Sequence, residues 1–385
     1  MSFDVIVVGG GLAGLSLACA LRDTRLKIAL VEARAPQRAE GWDARIYALS
    51  PSNAAFLQRI GAWKHLDTER LSPIHTMKVY GDTGARLVFD AYEAGVDELA
   101  WILESSQLAG ELWENLRRQS NVTLYCPATP EKLDLGDDAT TLTLNDGQVL
   151  AGRLLIGADG RDSWVRESAG LGAHHTPYDE MGVVANFECE EPHRNTAFQW
   201  FRDDGVLAWL PLPGQRLSMV WSAPNALADE LMRLSPEALA TRVAAAGEHT
   251  LGALRLITPA AAFPLRLMRV PTTVAPRLAL IGDAAHGIHP LSGHGINLGL
   301  RDAEALAARL AATPDWQDIG DLRLLRRHQR ERAEETALLQ YTTHTLRLLF
   351  RETLPGLKFV RNTGLSLTDR LPLVKNQLLR YALGT

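Results

Sequence analysis

Four short apolar runs, each closed by a glycine or an acid, set the rhythm of the chain. They are Val5-Ile6-Val7-Val8 before Gly9, Ile28-Ala29-Leu30-Val31 before Glu32, Leu154-Leu155-Ile156 before Gly157, and residues 278–281 before Gly282-Asp283. Runs this short and this uniformly apolar predict buried strands. Helical spacing predicts helices over residues 12–21, over 50–61 with Pro51 just inside a Ser50 cap, and over 105–119. A further amphipathic helix opens at Ile296 and continues through Leu306 and Leu310. Alternating patterns predict a strand pair over 76–91 about Gly81-Asp82-Thr83-Gly84, and strands over 122–150 with Asn145-Asp146-Gly147 as a hairpin turn. Residues 181–264 are β-rich. Within them 196–201, 206–212 and 216–222 read as a meander that places Leu207 and Trp209 on one face and Leu217, Met219 and Trp221 on one face of the next strand. A sheet of this kind is suited to roof an apolar pocket, or its aromatics fill a sheet-to-helix core.

The glycines turn these elements into candidate chemistry. Gly9, Gly11 and Gly14 form G-x-G-x-x-G between a strand and a helix, and Glu32 stands at the tip of the second strand. The first glycine permits the tight turn, the second admits a pyrophosphate to the backbone, and the third lets the helix pack close; Leu12 and Ala13 complete the turn. Glu32 would hold ribose hydroxyls, which suits FAD or NAD better than NADP, with Arg34 alone keeping the latter open. The segment 281–299 is strand, Gly/Pro-rich loop and helix start, so it presents backbone N–H groups and the positive end of a helix dipole. Asp283 is placed to accept a bond from a sugar hydroxyl, and glycines at 287, 293, 295 and 299 let backbone approach a flat ligand. His286, His289, His294 and Asp283 cluster there, but their spacing matches no metal-ligand pair, so no metal is expected.

With Gly157-Ala158-Asp159-Gly160, Ser163 and Arg166, the fingerprint and the stretch from Gly282-Asp283-Ala284-Ala285-His286 to Pro290 resemble the three signatures of single-component FAD-dependent aromatic hydroxylases. Within that group the chain is similar to the ubiquinone-biosynthesis hydroxylases. Asp43-Ala44-Arg45-Ile46-Tyr47-Ala48-Leu49-Ser50, Ile60-Gly61-Ala62-Trp63, Ile102-Leu103-Glu104 and Arg380-Tyr381-Ala382-Leu383-Gly384 fit as well. The resemblance implies an α/β protein with a Rossmann-like FAD-binding domain, an inserted β-rich substrate domain and C-terminal helices. The expected division is 1–72, 98–178 and 268–340 for the FAD-binding domain, 73–97 and 179–267 for the substrate sheet, and 341–385 for a helical tail.

The implied activity is hydroxylation of a polyprenyl phenol or quinol in ubiquinone biosynthesis, using NAD(P)H and O2 through a flavin C4a-hydroperoxide. The cofactor carries the hard chemistry, and the protein orients it, excludes water and stabilises charge near N1 and O2. The backbone N–H groups of Gly295, Ile296 and Asn297 are placed for that last task, and Gly293 lies in the same loop. The resemblance puts Pro290 beside the isoalloxazine, Asp283 on the ribityl chain and Arg45 near the pyrophosphate or ribityl. It puts Asp159 at the pyrophosphate with a role toward NAD(P)H, unless Asp159 merely caps its turn. Two departures stand out. His294 replaces the usual Gln between two glycines, and Ser105 stands where relatives carry Asn, Gln or Arg against the flavin. A second fingerprint is absent, so NAD(P)H is expected to visit transiently. Halogenase or prenyl-reductase chemistry on the same scaffold is the alternative enzyme reading, and a lipid-carrying protein the non-catalytic one. The halogenase Trp-x-Trp-x-Ile-Pro segment is not matched by Leu207-Ala208-Trp209-Leu210-Pro211.

Composition changes the picture only at the C-terminal end. With 46% hydrophobic and 22% charged residues and net charge −5, the chain has two-domain length and no general drive toward nucleic acid. Cys19, Cys126 and Cys189 are odd in number and far apart, which predicts buried thiols in a reducing compartment. The uncharged stretch 5–21 carries three adjacent glycines, follows Asp4 and is too short to span a bilayer, so a cytoplasmic protein is expected. From Tyr341 onward, however, seven Lys/Arg stand against two Asp/Glu, interleaved with Leu348, Leu349, Phe350, Leu354 and others. Such a tail either lies on the inner face of a membrane or on partner proteins of the ubiquinone pathway, or packs on the chain's own core with its bases solvated.

Overall fold

The four predicted buried strands lie side by side in one sheet. The computed structural model describes residues 2–82, 84–287, 294–351, 362, 367–369 and 375. In its first part the chain forms β1 (Ser2–Val8), α1 (Leu12–Ala20), β2 (Ile28–Val31), β3 (Ile46–Leu49), α2 (Pro51–Arg59), β4 (Ser72–Ile74), β5 (Thr76–Tyr80) and β6 (Arg86–Asp90). Next come α3 (Ala91–Ala94), β7 (Ala100–Glu104), α4 (Ser105–Arg117), β8 (Val122–Tyr125), β9 (Pro130–Leu135), β10 (Thr140–Leu144), β11 (Val149–Gly157) and α5 (Trp164–Ser168). The β-rich part holds β12 (His174–Cys189), β13 (Thr196–Arg202), β14 (Gly205–Leu212), β15 (Arg216–Pro224), α6 (Asn225–Arg233), α7 (Pro236–Ala246), β16 (Leu254–Leu256) and β17 (Ala261–Arg269). The described elements close with β18 (Val274–Ala275), β19 (Leu278–Leu280), β20 (His286–Gly287), α8 (His294–Ala311) and α9 (Leu322–Arg351).

The first sheet runs β18-β19-β11-β1-β2-β8, with the β9–β10 ribbon added at β11. Its central strands are parallel and in register, so Val8 pairs with both Val31 and Gly157, and Gly157 with Leu280. All four strands therefore end at one edge, and the loops that follow them meet there. This is where an open parallel sheet binds ligands, because those loops and the helix amino ends all face the same way. Helices α1, α4 and α8 bury the strands on one side through Leu15, Leu108, Leu112, Leu300 and Leu306.

The second sheet runs β20-β17-β12-β15-β14-β13-β5-β6, with β16 on β12. The meander predicted from alternation is β13–β15, and the predicted pair about Gly81 is β5–β6. Phe198, Trp200, Leu207, Trp209, Leu217, Met219 and Trp221 share one buried face, packed on α6 and α7 through Leu231, Leu239 and Val243. These aromatics therefore fill a sheet-to-helix core and do not roof a pocket. The packing leaves no slack: a Cβ on Gly247 would stand 2.2 Å from the Trp209 ring. It is the opposite face of this sheet that turns to the first, where Asn186 Nδ2 donates to the Asp43 carbonyl (2.8 Å). The sheet also takes β12 from His174 and β20 at 286–287, positions that the expected division assigned to the FAD-binding segments. A small sheet, β3-β7-β4, sits at the junction.

Two details differ from expectation. Helix α8 starts at His294, two residues early, because a first turn requires no intrahelical acceptor for its N–H groups and tolerates Gly295. Cys19 and Cys189 are buried, but Cys126 is only partly so. Burial pushes the Cys19 thiol up to about 12.

Candidate functional site

The turn after β1 is shaped by its glycines. Gly9 has φ +106°, and a Cβ there would stand 2.4 Å from the Ala158 carbonyl oxygen; one on Gly14 would stand 2.1 Å from the Gly9 oxygen. At Gly11 the nearest heavy atom to a Cβ is 3.9 Å away, so this position faces free space beside the α1 amino end. Helix α1 has no side-chain cap, and its first-turn N–H groups at Leu12, Ala13 and Gly14 point the same way. Glu32 closes the turn from β2, accepting from the Gly10 N–H (2.5 Å) and the Arg34 N–H (2.9 Å). A cradle open only at Gly11, with free amides and a carboxylate at its rim, fits the pyrophosphate and ribose of a dinucleotide.

The loop after β11 lies against this turn. Asp159 accepts from Ser163 Oγ (2.5 Å) and from the Val165 N–H (3.0 Å), so its carboxylate braces the amino end of α5. Buried Arg166 donates to the Ala284 carbonyl (3.1 Å) and the Arg161 carbonyl (3.0 Å), bracing the next loop, and Arg161 lies 3.9 Å from Asp283.

That next loop carries Asp283, whose side chain is 48% exposed at the site edge. Gly282, at φ +60°, is wedged between Ala13 and Gly299: a Cβ on it would be 3.1 Å from Ala13 Cβ. Its N–H donates to Asp302 (3.0 Å) on α8. His286 is held through Nε2 by the same carboxylate (2.6 Å), and Arg332 on α9 donates to its other oxygen (2.8 Å). Burial alone would lower the His286 pKa, but the charge of Asp302 and its hydrogen bond turn the shift upward. Gly295, Ile296 and Asn297 lie in the first turn of α8, where backbone N–H groups point out of the helix end. The Asn297 side chain is already engaged. It accepts from the Ser50 N–H (2.9 Å) and donates to the Ala48 carbonyl (2.7 Å). Pro290 and Gly293 lie outside the described residues, as does His289.

Arg45 and Ser105 come from β3 and α4. The Ser105 N–H donates to the Arg45 carbonyl (2.9 Å), and Arg45 is exposed. The group that sets this corner, Glu104, stands within a quoted motif to which no role was assigned. Buried Glu104 accepts from Arg70 (2.6 and 2.7 Å) and from the Asp43 N–H (2.5 Å), while Asp43 accepts from the Ser106 N–H (3.0 Å). Tyr47 was also missed, although it stands within a quoted motif. Burial pushes its phenol up, against Arg45 and a hydrogen bond to Ser105, with Asp283 and Asp43 adding to the rise.

The described residues thus bring Gly9–Gly14, Glu32, Arg45, Ser105, Asp159, Asp283 and the first turn of α8 to one sheet edge. Comparison with known proteins adds identity to this geometry. A family model described as an FAD binding domain matches residues 2–340. The chain is 34% identical to 3-demethoxyubiquinol 3-hydroxylase of Escherichia coli (strain K12), covering 99% of this chain and 98% of that protein. It is 34% identical to ubiquinone hydroxylase UbiL of Rhodospirillum rubrum, over 99% and 90% respectively. Its fold matches the crystal structure of p-nitrophenol 4-monooxygenase from Pseudomonas putida DLL-E4 with a TM-score of 0.80 at 20% identity, covering 99% and 98%.

Proposed function

The chain belongs to the FAD-dependent hydroxylases of ubiquinone biosynthesis, and from that premise we propose how it divides the reaction among its residues. It is an FAD monooxygenase that hydroxylates the ring of a quinol-type ubiquinone precursor with O2. In the proposed arrangement Gly11, Leu12, Ala13 and Gly14 take the pyrophosphate, and Glu32 the adenosine ribose. Asp283 takes the ribityl chain, with Arg45 and Ser105 at its flank. Asp159 keeps α5 in place beside the pyrophosphate.

Bound FAD supplies electron transfer and activation of O2. The remaining work is the protein's own. The N–H groups at Gly295, Ile296 and Asn297 hold negative charge at the pyrimidine end of the ring. The inner face of the second sheet receives the substrate ring and its polyprenyl chain, its half-buried Val184, Ala208, Leu210 and Val220 supplying apolar surface. NAD(P)H is the proposed reductant, entering transiently. The same reading divides the chain into the discontinuous FAD-binding unit, the sheet unit and the tail set out above.

The observation that carries this reading is the open direction at Gly11 facing the amino ends of α1 and α8 at one sheet edge. A polyprenyl substrate also calls for contact with a bilayer or with neighbouring pathway enzymes. Exposed Leu338, Tyr341 and Leu348 on α9 support that role for the C-terminal part. No helix among the described residues is long and apolar enough to cross a membrane. Arg347 is not part of such a surface. It is 6% exposed, ion-paired with Glu180 (2.8 Å) and stacked over Tyr178. Lys375 likewise meets Glu93 (3.0 Å), and Asp369 accepts from the Val88 N–H (3.0 Å), so these tail residues rest on β6 and α3.

The test is turnover of purified protein with NADH or NADPH, O2 and a short-chain quinol lacking one ring oxygen. Consumption of reductant matched by a product one oxygen heavier is expected. Hydrogen peroxide alone with every such quinol, or a product heavier by two hydrogens, would overturn the reading.

A further inference from the structure

We propose that Asp302 is a positioning residue that fixes the Gly282–Asp283 turn against α8 for FAD. The turn leaves β19 with Gly282 in the left-handed region, φ +60°, which aims its N–H inward. That N–H donates to Asp302 Oδ2 (3.0 Å), and His286 Nε2 meets the same oxygen (2.6 Å). One carboxylate oxygen therefore clasps both ends of the 282–286 loop. The other oxygen accepts from Arg332 Nε (2.8 Å), which keeps the buried charge paired from the far side. Asp302 is 3% exposed and His286 5%, so water does not compete for these bonds.

The connection matters because of what each end carries. Asp302 belongs to α8, whose first turn presents the N–H groups of Gly295 and Ile296. The loop it clasps presents Asp283. Its carboxylate thus sets the spacing between the two parts of the cofactor bed, without touching the cofactor itself. Asn is isosteric with Asp but has only one oxygen, so either the Gly282 N–H and His286 or Arg332 would then face an amide N–H.

The proposal rests on FAD lying against this loop. The experiment measures FAD affinity of the apoprotein by quenching of flavin fluorescence, and the visible band of the bound flavin, for Asp302→Asn, Arg309→Gln and Gly11→Val. Arg309 joins Glu331 in another α8–α9 ion pair, about two turns along α8 from Asp302, and serves as the control for general loosening of the helices. Asp302→Asn should weaken FAD binding by about tenfold or more, the scale of one lost charge-assisted hydrogen bond, and alter the visible band. Arg309→Gln should leave both unchanged. Wild-type affinity and spectrum in Asp302→Asn, or losses in both variants that track their loss of thermal stability, would overturn the positioning role. If Asp302→Asn does not fold, His286→Gln removes one contact from the same oxygen and should change affinity and band in the same direction; no change would overturn the proposal. Gly11→Val separates the two readings. Full flavin binding there defeats the cofactor placement itself, whereas loss there with no effect at Asp302 defeats only this inference.

Discussion

Asn53 and Asn297, 244 residues apart, meet side chain to side chain, with Asn53 Nδ2 donating to Asn297 Oδ1 at 2.8 Å. The same oxygen accepts from the Ser50 N–H, and Ser50 caps α2 through a bond from the Asn53 N–H (3.4 Å). Two helix amino ends are thereby joined, one of them facing the proposed flavin ring. Asn297→Ala would leave the buried Ser50 N–H without an acceptor. A loss of about 1–3 kcal/mol is expected in urea unfolding of the apoprotein, together with weaker FAD retention on gel filtration.

The fingerprint glycines should separate folding from binding. Gly11→Val adds atoms only toward free space and leaves φ near −73°, so the apoprotein should keep its circular dichroism and melting temperature but purify colourless. Gly9→Ala sets a Cβ against Ala158 at a φ that L residues avoid and should fail to fold. Equal flavin content in Gly11→Val and wild type would contradict the placement.

Arg347→Ala should act as a core mutation. It removes the buried guanidinium that pairs with Glu180 and the cation over the Tyr178 face. Loss of these charge-assisted contacts should cost about 1.5–3 kcal/mol, read as a fall in the denaturant midpoint. An unchanged midpoint with altered liposome binding would return Arg347 to a membrane-facing role.

The pH dependence of stability should carry opposite signatures from two histidines. His328 is 3% exposed, and burial lowers its pKa from 6.5 to about 4. Its folded value lies below the unfolded one, so the stability it permits is complete above pH 6.5 and lost as pH falls toward 4, by up to about 3 kcal/mol. His286 is shifted upward, so its contribution is complete below 6.5 and is lost as pH rises through its folded value. Urea unfolding across this range should show a flatter acid limb in His328→Gln and a flatter alkaline limb in His286→Gln. Parallel curves for all three proteins would exclude both assignments.

The sequence by itself determined the elements that local signals specify. Apolar runs closed by glycine or an acid predicted β1, β2, β11 and β19, and alternation predicted β5–β6 and β13–β15, because side-chain periodicity and turn chemistry act over a few residues. The two-residue period showed that Leu217, Met219 and Trp221 share a face, but only the tertiary structure decided that α6 and α7 cover it, since periodicity carries no information about what packs opposite. The basic character of the tail was equally legible, whereas the burial of Arg347 against Glu180 was not. Asp302 and Arg332 drew no notice in the chain for the same reason. A charged residue on a helix looks the same whether it faces water or a partner far along the sequence. Its role is settled by desolvation and pairing, which exist only once the distant segments have come together.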